Sequence, residues 1–352
     1  DVFDRLGVGP DHGLFLEREP STTSLSLKPT FVGRTRELAK LRDAFERVTD
    51  TPRILFVEGV SGIGKSQLVE EFLDRLSQER PETLVLSGRC YEREVVSYKA
   101  LDGIADKLAS HLAHAPAAQV SKLLPRRAAL LGRLFPVLKQ VEAIAAAEPG
   151  PDLPDPHEQR RRMFGALRKL FIRLAENQRL VWYIDDLQWM DVDSLFLLQD
   201  LISHEDPLPV LLIATLRPVS EDQWKRLLAQ IEELAPTEHL WLDDLKRREA
   251  RVLARLLLPG RDEESVDALA EDAGGHPLFL LELARHLGLA EGGAEVGASL
   301  EEMLTWRIER LSSAAHAVLQ VVSLYGGPLQ QDVAALAAEL SMGMSTTTYL
   351  TV

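Results

Sequence analysis

The chain is 352 residues long, 45% hydrophobic and 27% charged, with a formal charge of -14, enough for two or three domains with substantial cores. No apolar run is long enough to span a bilayer and no signal peptide opens the sequence, and the acidic balance argues against wrapping nucleic acid, which needs a basic face. One cysteine, Cys90, excludes an internal disulfide and any cysteine-based zinc site, so the expectation is a globular, cytoplasmic chain in a reducing compartment.

Residues 1–30 carry Gly7, Gly9, Pro10, Gly13, Pro20 and a Ser/Thr cluster from Ser21 to Ser26 with little periodicity, and read as a linker. Order is expected to begin at Phe31-Val32-Gly33-Arg34, followed by Glu37, Leu38, Leu41 and Phe45 on one helical face. The apolar run Arg53 to Val57 is short enough for a buried parallel strand. It leads into Gly59-Val60-Ser61-Gly62-Ile63-Gly64-Lys65-Ser66, which fits the phosphate-binding pattern G-x-x-x-x-G-K-[ST]. Leu68, Val69, Phe72, Leu73 and Leu76 then recur at helical spacing, so the loop sits between a strand and a helix.

Glycines are needed there because backbone N–H groups must curl around phosphate oxygens, which demands positive φ and leaves no room for side chains. Lys65 is placed to reach the β- and γ-phosphates, Ser66 to ligate Mg²⁺, and the helix N-terminus adds its positive end. Candidate nucleotide contacts in this stretch are Gly59, Ser61, Gly62, Ile63, Gly64, Lys65, Ser66 and Gln67.

A second strand is expected at Thr83 to Leu86, ending at Gly88-Arg89-Cys90. Residues 98–178 read as a helical insertion interrupted by Pro116, Pro125 and Pro136, with a Pro-rich loop from Glu148 to Pro156. A long helix follows from His157 to Asn177, with Arg160, Arg161, Arg162, Arg168 and Lys169 on its solvated side.

The third strand, Leu180 to Ile184, delivers Asp185 and Asp186 at its carboxyl end. Ligands of open α/β sheets sit beyond the carboxyl ends of the strands, so these acids face the same crevice as the phosphate loop. Asp185 is assigned to the metal, which needs hard oxygen ligands, and Asp186 to the attacking water. Asp191 or Asp193 is the expected cap of the helix after them. A fourth strand from Pro209 to Ala214 ends near Arg217, which points toward the γ-phosphate if this strand lies beside the first. Helix Trp224 to Leu234 and a strand at Glu238 to Leu242 complete the sheet.

Beyond Asp243 only helical periodicity remains: Arg248 to Leu258, Glu264 to Ala273, the corner Gly274-Gly275-His276-Pro277, and Leu278 to Leu287. After the Gly-rich gap Glu291 to Gly297, further helices run Leu300 to Leu311, Ala314 to Leu324 and Asp332 to Leu340. Alternating strands and helices, then helices alone, indicate an α/β domain followed by α-helical ones.

The combination resembles the STAND class of P-loop ATPases within the AAA+ group, over about residues 31–325. Phe31-Val32-Gly33-Arg34 with Glu37 is similar to that family's hhGRE box, which in relatives lies near the adenine. Gly59 to Ser66 corresponds to Walker A, Leu180 to Asp186 to Walker B, Arg217 to the sensor arginine, and Gly275-His276-Pro277 to the GxP motif of the lid, whose proline packs on the base. The resemblance implies a five-stranded parallel α/β sheet in the order 5-1-4-3-2 over residues 31–242, a helical lid over 243–290 and the start of a winged-helix domain over 298–352. It also implies ATP or ADP with Mg²⁺ as cofactors, and a fragment of a larger regulator with a fused or associated signalling domain and ATP-dependent self-assembly. No arginine finger from a second subunit is evident.

Three functions follow. The first is a slowly hydrolysing ATP switch, with ADP holding the lid closed. The second is a nucleotide-binding scaffold with negligible hydrolysis. The third is an ATP-dependent DNA-binding regulator, against which the acidic balance and the incomplete last domain count.

Overall fold

The computed structural model describes residues 31–91, 97–150, 154–202, 207–218, 222–289, 305, 308, 311–325 and 331–342. The linker expected over 1–30, the Gly-rich gap at 291–297, most of the helix expected at 300–311 and the segment 343–352 lie outside these residues.

All five anticipated strands form: β1 (Arg53–Glu58), β2 (Leu84–Arg89), β3 (Leu180–Asp185), β4 (Val210–Leu216) and β5 (Thr237–Trp241). Every pairing is parallel and the order across the sheet is β2-β3-β4-β1-β5, the order that the resemblance implied. A parallel sheet must be covered on both faces, and the strands therefore read as continuous apolar runs in which alternate residues serve opposite layers. Leu55, Val57, Val181, Tyr183, Leu211 and Ile213 pack with Leu41 and Phe45 of α1 (Thr35–Glu46) and Leu68 and Phe72 of α2 (Lys65–Glu79). Ile54, Phe56, Trp182, Ile184, Leu212 and Ala214 belong to the opposite layer.

That second layer is built by α3 (Lys99–His114), α4 (Ala117–Leu123), α5 (Ala129–Leu134), α6 (Glu142–Ala145), α7 (Pro156–Ala175) and α8 (Val192–Ile202). The insertion is broken where its prolines fall: Pro116 precedes α4, Pro125 follows it, and Pro136 opens a 3-10 turn through Gln140. One expectation fails on α7. Arg160, Arg161 and Lys169 lie on the outer side, but Arg168 is only 6% exposed and is counted among the interior residues. Its neighbours at helical spacing, Phe164 and Phe171, are buried too, so its register position belongs to the inner stripe and the long stem goes with it.

After α9 (Asp222–Glu232) and β5 the chain turns at Leu242-Asp243-Asp244 into three helices, α10 (Arg247–Leu257), α11 (Glu263–Asp272) and α12 (Pro277–Leu289). Ala250, Ala254, Val266, Leu269, Leu280 and Leu283 are buried. Leu245 N–H donates to Gly275 O at 2.9 Å, tying the start of this helical part to its own last corner. Finally α13 (Ser313–Tyr325) and α14 (Gln331–Met342) pack against each other.

Candidate nucleotide-binding site

Strand parity builds the site. Counting by twos from Val181, the residues facing α2 are Tyr183 and then Asp185; on β4 they are Leu211, Ile213 and Thr215. The loop between β1 and α2 aims Ser66 at the same place, so residues far apart in sequence meet on one oxygen. Asp185 Oδ1 accepts from Ser66 Oγ at 2.7 Å, from Thr215 Oγ1 at 2.6 Å and from Tyr183 OH at 2.9 Å. Burial, followed by the Asp185 charge and hydrogen bond, pushes the Tyr183 phenol far above its ordinary value, so it stays a donor.

Asp186 follows the strand in a left-handed conformation, φ 56° and ψ 46°, and leads into a 3-10 turn over Leu187–Trp189. Its N–H donates to Thr215 Oγ1 at 2.8 Å. Its carboxylate accepts from Gln188 Nε2 at 2.9 Å and from Arg89 Nη2 at 2.7 Å, and Arg217 Nε stands 3.6 Å away. Burial raises the Asp186 carboxyl, but the Gln188 and Arg89 hydrogen bonds and the charges of Arg89 and Arg217 outweigh it, leaving the group below its usual range.

The phosphate loop has the geometry its glycines predict at two positions, with Gly62 at φ 78° and Gly64 at φ 95°. Lys65, 6% exposed, folds into this loop and donates to Gly59 O at 2.9 Å and Val60 O at 2.8 Å. Burial and the Arg217 charge lower its pKa, with Asp186 and Asp185 pulling the other way. An anion seated in the loop supplies a stronger partner than two carbonyls, so the ammonium is stored beside the position where it is wanted.

Two further pieces close around the loop. His276 Nε2 lies 3.1 Å from Ser61 O, and its ring stacks on Phe279 with centroids 4.1 Å apart. A Cβ built on Gly62 would stand 2.8 Å from both His276 Cε1 and Leu278 Cβ, so the loop and the lid corner are in close contact. Gly275, at φ 82°, allows this approach: a Cβ there would stand 2.5 Å from Leu245 O. Pro277 is the first residue of α12, a position that suits a residue without an N–H.

The second piece is the N-terminal box. Arg34, 7% exposed with φ 57°, donates from Nη2 to Ile63 O at 3.3 Å and to Asp243 O at 2.5 Å, while its N–H donates to Glu249 Oε1 at 3.2 Å. Glu249 also accepts from Lys246 N–H at 3.1 Å, so one side chain caps α10 and holds the box. The Arg34 guanidinium is thus committed to backbone carbonyls of the loop and the connector. Val32 and Gly33 lie partly buried beside it, and Gln67 lies partly buried on the first turn of α2.

The structure therefore brings together Lys65, Ser66, Asp185, Asp186, Arg217, the loop and the lid corner. Arg217 follows β4, which does lie beside β1, and its Nε stands 3.6 Å from Asp186 Oδ1. Arg89, Tyr183, Thr215, Gln188 and Glu249 join the site without having been singled out as candidates. For Arg89 a signal was available: it ends β2 opposite Asp185 at the end of β3, and register partners of the same parity share a face. The Tyr183 hydroxyl was hidden inside a strand that read as a plain apolar run, and Thr215 fell just past the expected end of the fourth strand, which in the structure runs on to Leu216. Asp191 rather than Asp193 is the cap of α8, accepting from Ser194 N–H at 2.9 Å; it also accepts from Tyr98 N–H at 3.2 Å and Lys99 N–H at 3.0 Å at the start of α3.

The donor set suits a hard cation. Ser66 Oγ spends its proton on Asp185 and keeps lone pairs for a metal, while Asp185 can hold the metal's waters. Among the described residues no group of three or more His, Cys, Asp or Glu could hold a metal, which separates this arrangement from an all-protein cage.

No curated protein matches the chain. Among solved structures, the signal transduction ATPase with numerous domains and a tetratricopeptide repeat sensor from Pyrococcus horikoshii is 16% identical, with a TM-score of 0.45 over 91% of this chain and 38% of that one. This chain thus spans well under half of that protein's length. The Aeropyrum pernix ORC1 protein, solved in complex with DNA, is 16% identical with a TM-score of 0.49 over 91% of this chain and 81% of its own. The Aeropyrum pernix ORC2 protein is 16% identical with a TM-score of 0.46, over 92% and 82% respectively. The family model described as AAA ATPase domain matches residues 30–213, just over half of the sequence; the chain belongs to the AAA ATPase domain family.

Proposed function

We infer that the chain binds ATP and ADP with Mg²⁺, hydrolyses ATP slowly, and works as a STAND-type switch in a larger signalling regulator. The observation that carries this reading is the contact between lid and phosphate loop, His276 Nε2 to Ser61 O at 3.1 Å with Gly62 packed under His276 and Leu278. A loop shaped to take a phosphate chain is here in contact with a separate helical unit. What fills the loop therefore changes the lid, which is a differential contact of the kind a two-state switch requires.

The roles follow from position. The loop N–H groups, Gly59 to Ser66, hold the phosphates; Lys65 leaves its two carbonyls for the β- and γ-oxygens; Ser66 and Asp185 hold Mg²⁺, which when bound supplies charge for the developing phosphate oxygens. Arg217 compares ATP with ADP through the γ-phosphate. Val32, Gly33 and Pro277 border the base by analogy, with Arg34 as their anchor. Asp186 orients the attacking water, but paired with Arg89 and held below its usual range it is a poor proton acceptor in this state. Slow turnover is the consequence. The same pairing also supports the second reading, a nucleotide-binding scaffold with negligible hydrolysis. The partners of this reading are a fused or associated signalling domain and, in the ATP state, further copies of the chain.

Two measurements test it. Chromatography of the denatured protein should release bound ADP. Steady-state phosphate release should fall at least about tenfold in Lys65→Ala, given the loss of a charge-assisted phosphate contact. Equal rates in the two proteins remove the enzyme claim and leave the scaffold; no nucleotide in either removes the closed state.

A further inference from the structure

The acid pair is already occupied by a cation that belongs to the chain. Arg89 ends β2 opposite Asp185, and its guanidinium reaches both carboxylates: Nη2 is 2.7 Å from Asp186 Oδ2 and Nε is 3.6 Å from Asp185 Oδ2. These are the oxygens left over by the rest of the site. Asp185 Oδ1 is filled by three hydroxyls, and Asp186 Oδ1 by Gln188 with Arg217 close by. Every carboxylate oxygen that could hold the waters of a divalent cation therefore has a donor or a positive charge before any metal arrives. The two acids are buried, with side chains 10% and 9% exposed, so leaving both ionised without a cation is costly. The Arg89 side chain is 52% exposed and reaches in from the rim, so it can withdraw to solvent without disturbing the core.

Resting on the nucleotide reading above, we propose that Arg89 is a built-in counter-cation that competes with the divalent metal for Asp185 and Asp186 and so sets the metal concentration at which the site loads. With the metal absent, Arg89 neutralises the pair. A metal entering beside Ser66 would compete with the guanidinium for the same two carboxylates, and repulsion between the two cations would weaken the hold on the Arg89 fork. Arg89 is a positioning and gating residue here, acting through the acids.

The test uses Mn²⁺, whose free form is counted directly by electron paramagnetic resonance, titrated into the whole protein with and without ADP. Four proteins are compared: wild type, Arg89→Gln, Asp185→Asn, and Arg161→Gln as a control with the same loss of charge on an outer arginine, 76% exposed. Arg89→Gln should lower the half-saturating Mn²⁺ concentration by about tenfold, the size expected when one charge-assisted competitor is removed. Arg161→Gln should leave it unchanged and Asp185→Asn should raise it. An unchanged or raised midpoint in Arg89→Gln overturns the proposal, as does equal lowering in Arg161→Gln or the absence of Mn²⁺ uptake by wild type. If Mn²⁺ binds with the expected shift but ADP does not bind, the nucleotide reading falls while the competition stands.

Discussion

Asp185 shows how much one atom can organise. Three hydroxyls converge on its Oδ1, one each from the phosphate loop, from β3 itself and from β4. Hydrogen bonds to a charged group are worth about 1.5–3 kcal/mol, and a buried donor left unpaired adds about 1–3 kcal/mol. Tyr183→Phe removes one of three donors and strands nothing; Thr215→Val also strands the Asp186 N–H. Urea unfolding should therefore rank Thr215→Val as the more destabilising by about 1 kcal/mol or more, and the reverse order would break this account of the hub. Asp186 makes a prediction of a different kind. Its carboxyl is held below the ordinary 3.8, so the stability it contributes is present above that pH and is lost as pH falls below it through the lowered value. In Asp186→Asn the acid limb of a stability-against-pH curve should be shallower than in wild type, with the neutral region parallel; identical limbs would refute the pairing with Arg89 and Gln188. Lys65, Ser66, Asp185 and Asp186 were legible in sequence, because they stand at motif positions that need no partner to be noticed. Arg89, Tyr183, Thr215, Gln188 and Glu249 were not, since each matters only through a neighbour distant in sequence or across a turn, and a tyrosine or threonine in or beside an apolar strand looks like any other strand residue.

Between elements, one close approach of backbone to backbone is where α3 lies on β2. A Cβ added at Gly103 would stand 2.5 Å from Gly88 Cα, a backbone atom with nowhere to move. Alanine in a helix is intrinsically better than glycine by about 1 kcal/mol. Forcing helix and strand apart costs about 1–3 kcal/mol or more, and the contact is with backbone rather than a flexible tip, so the second effect wins. Gly103→Ala should lower stability by about 2 kcal/mol despite its better propensity, and a rise in the unfolding midpoint would show that α3 can shift freely. Strand positions were readable because each is a short apolar run ending in a polar turn. The insertion was readable only as helical material with breaks, and Arg168 was misplaced because a cationic side chain on an inner stripe carries no mark of burial in the sequence.

At the scale of the molecule, Arg34 joins the N-terminal box, the phosphate loop, the connector at Asp243 and, through Glu249, the first lid helix. Cutting this clasp frees the connector while leaving Lys65, Ser66 and Asp185 in place. Arg34→Ala should be cleaved by trypsin at Lys246-Arg247 several-fold faster than wild type, as local opening costs less once two shielded hydrogen bonds are gone; unchanged cleavage would mean that the lid is held without the Arg34 side chain, by His276, Leu245 and the backbone N–H bond to Glu249. The order of strands was implied by a family resemblance and not by spacing, because nothing in a run of apolar residues states which neighbour it will choose. That order also bears on biosynthesis. β1 has two neighbours, β4 and β5, and neither is β2 or β3. On the ribosome, the strand that carries the phosphate loop stands with both edges bare until Val210 to Leu216 of β4 have been translated, and with one edge bare until Thr237 to Trp241 of β5 follow, while β2 and β3 can already pair. The strand that carries the candidate site thus depends on partners made long after it, which places completion of that site late in folding.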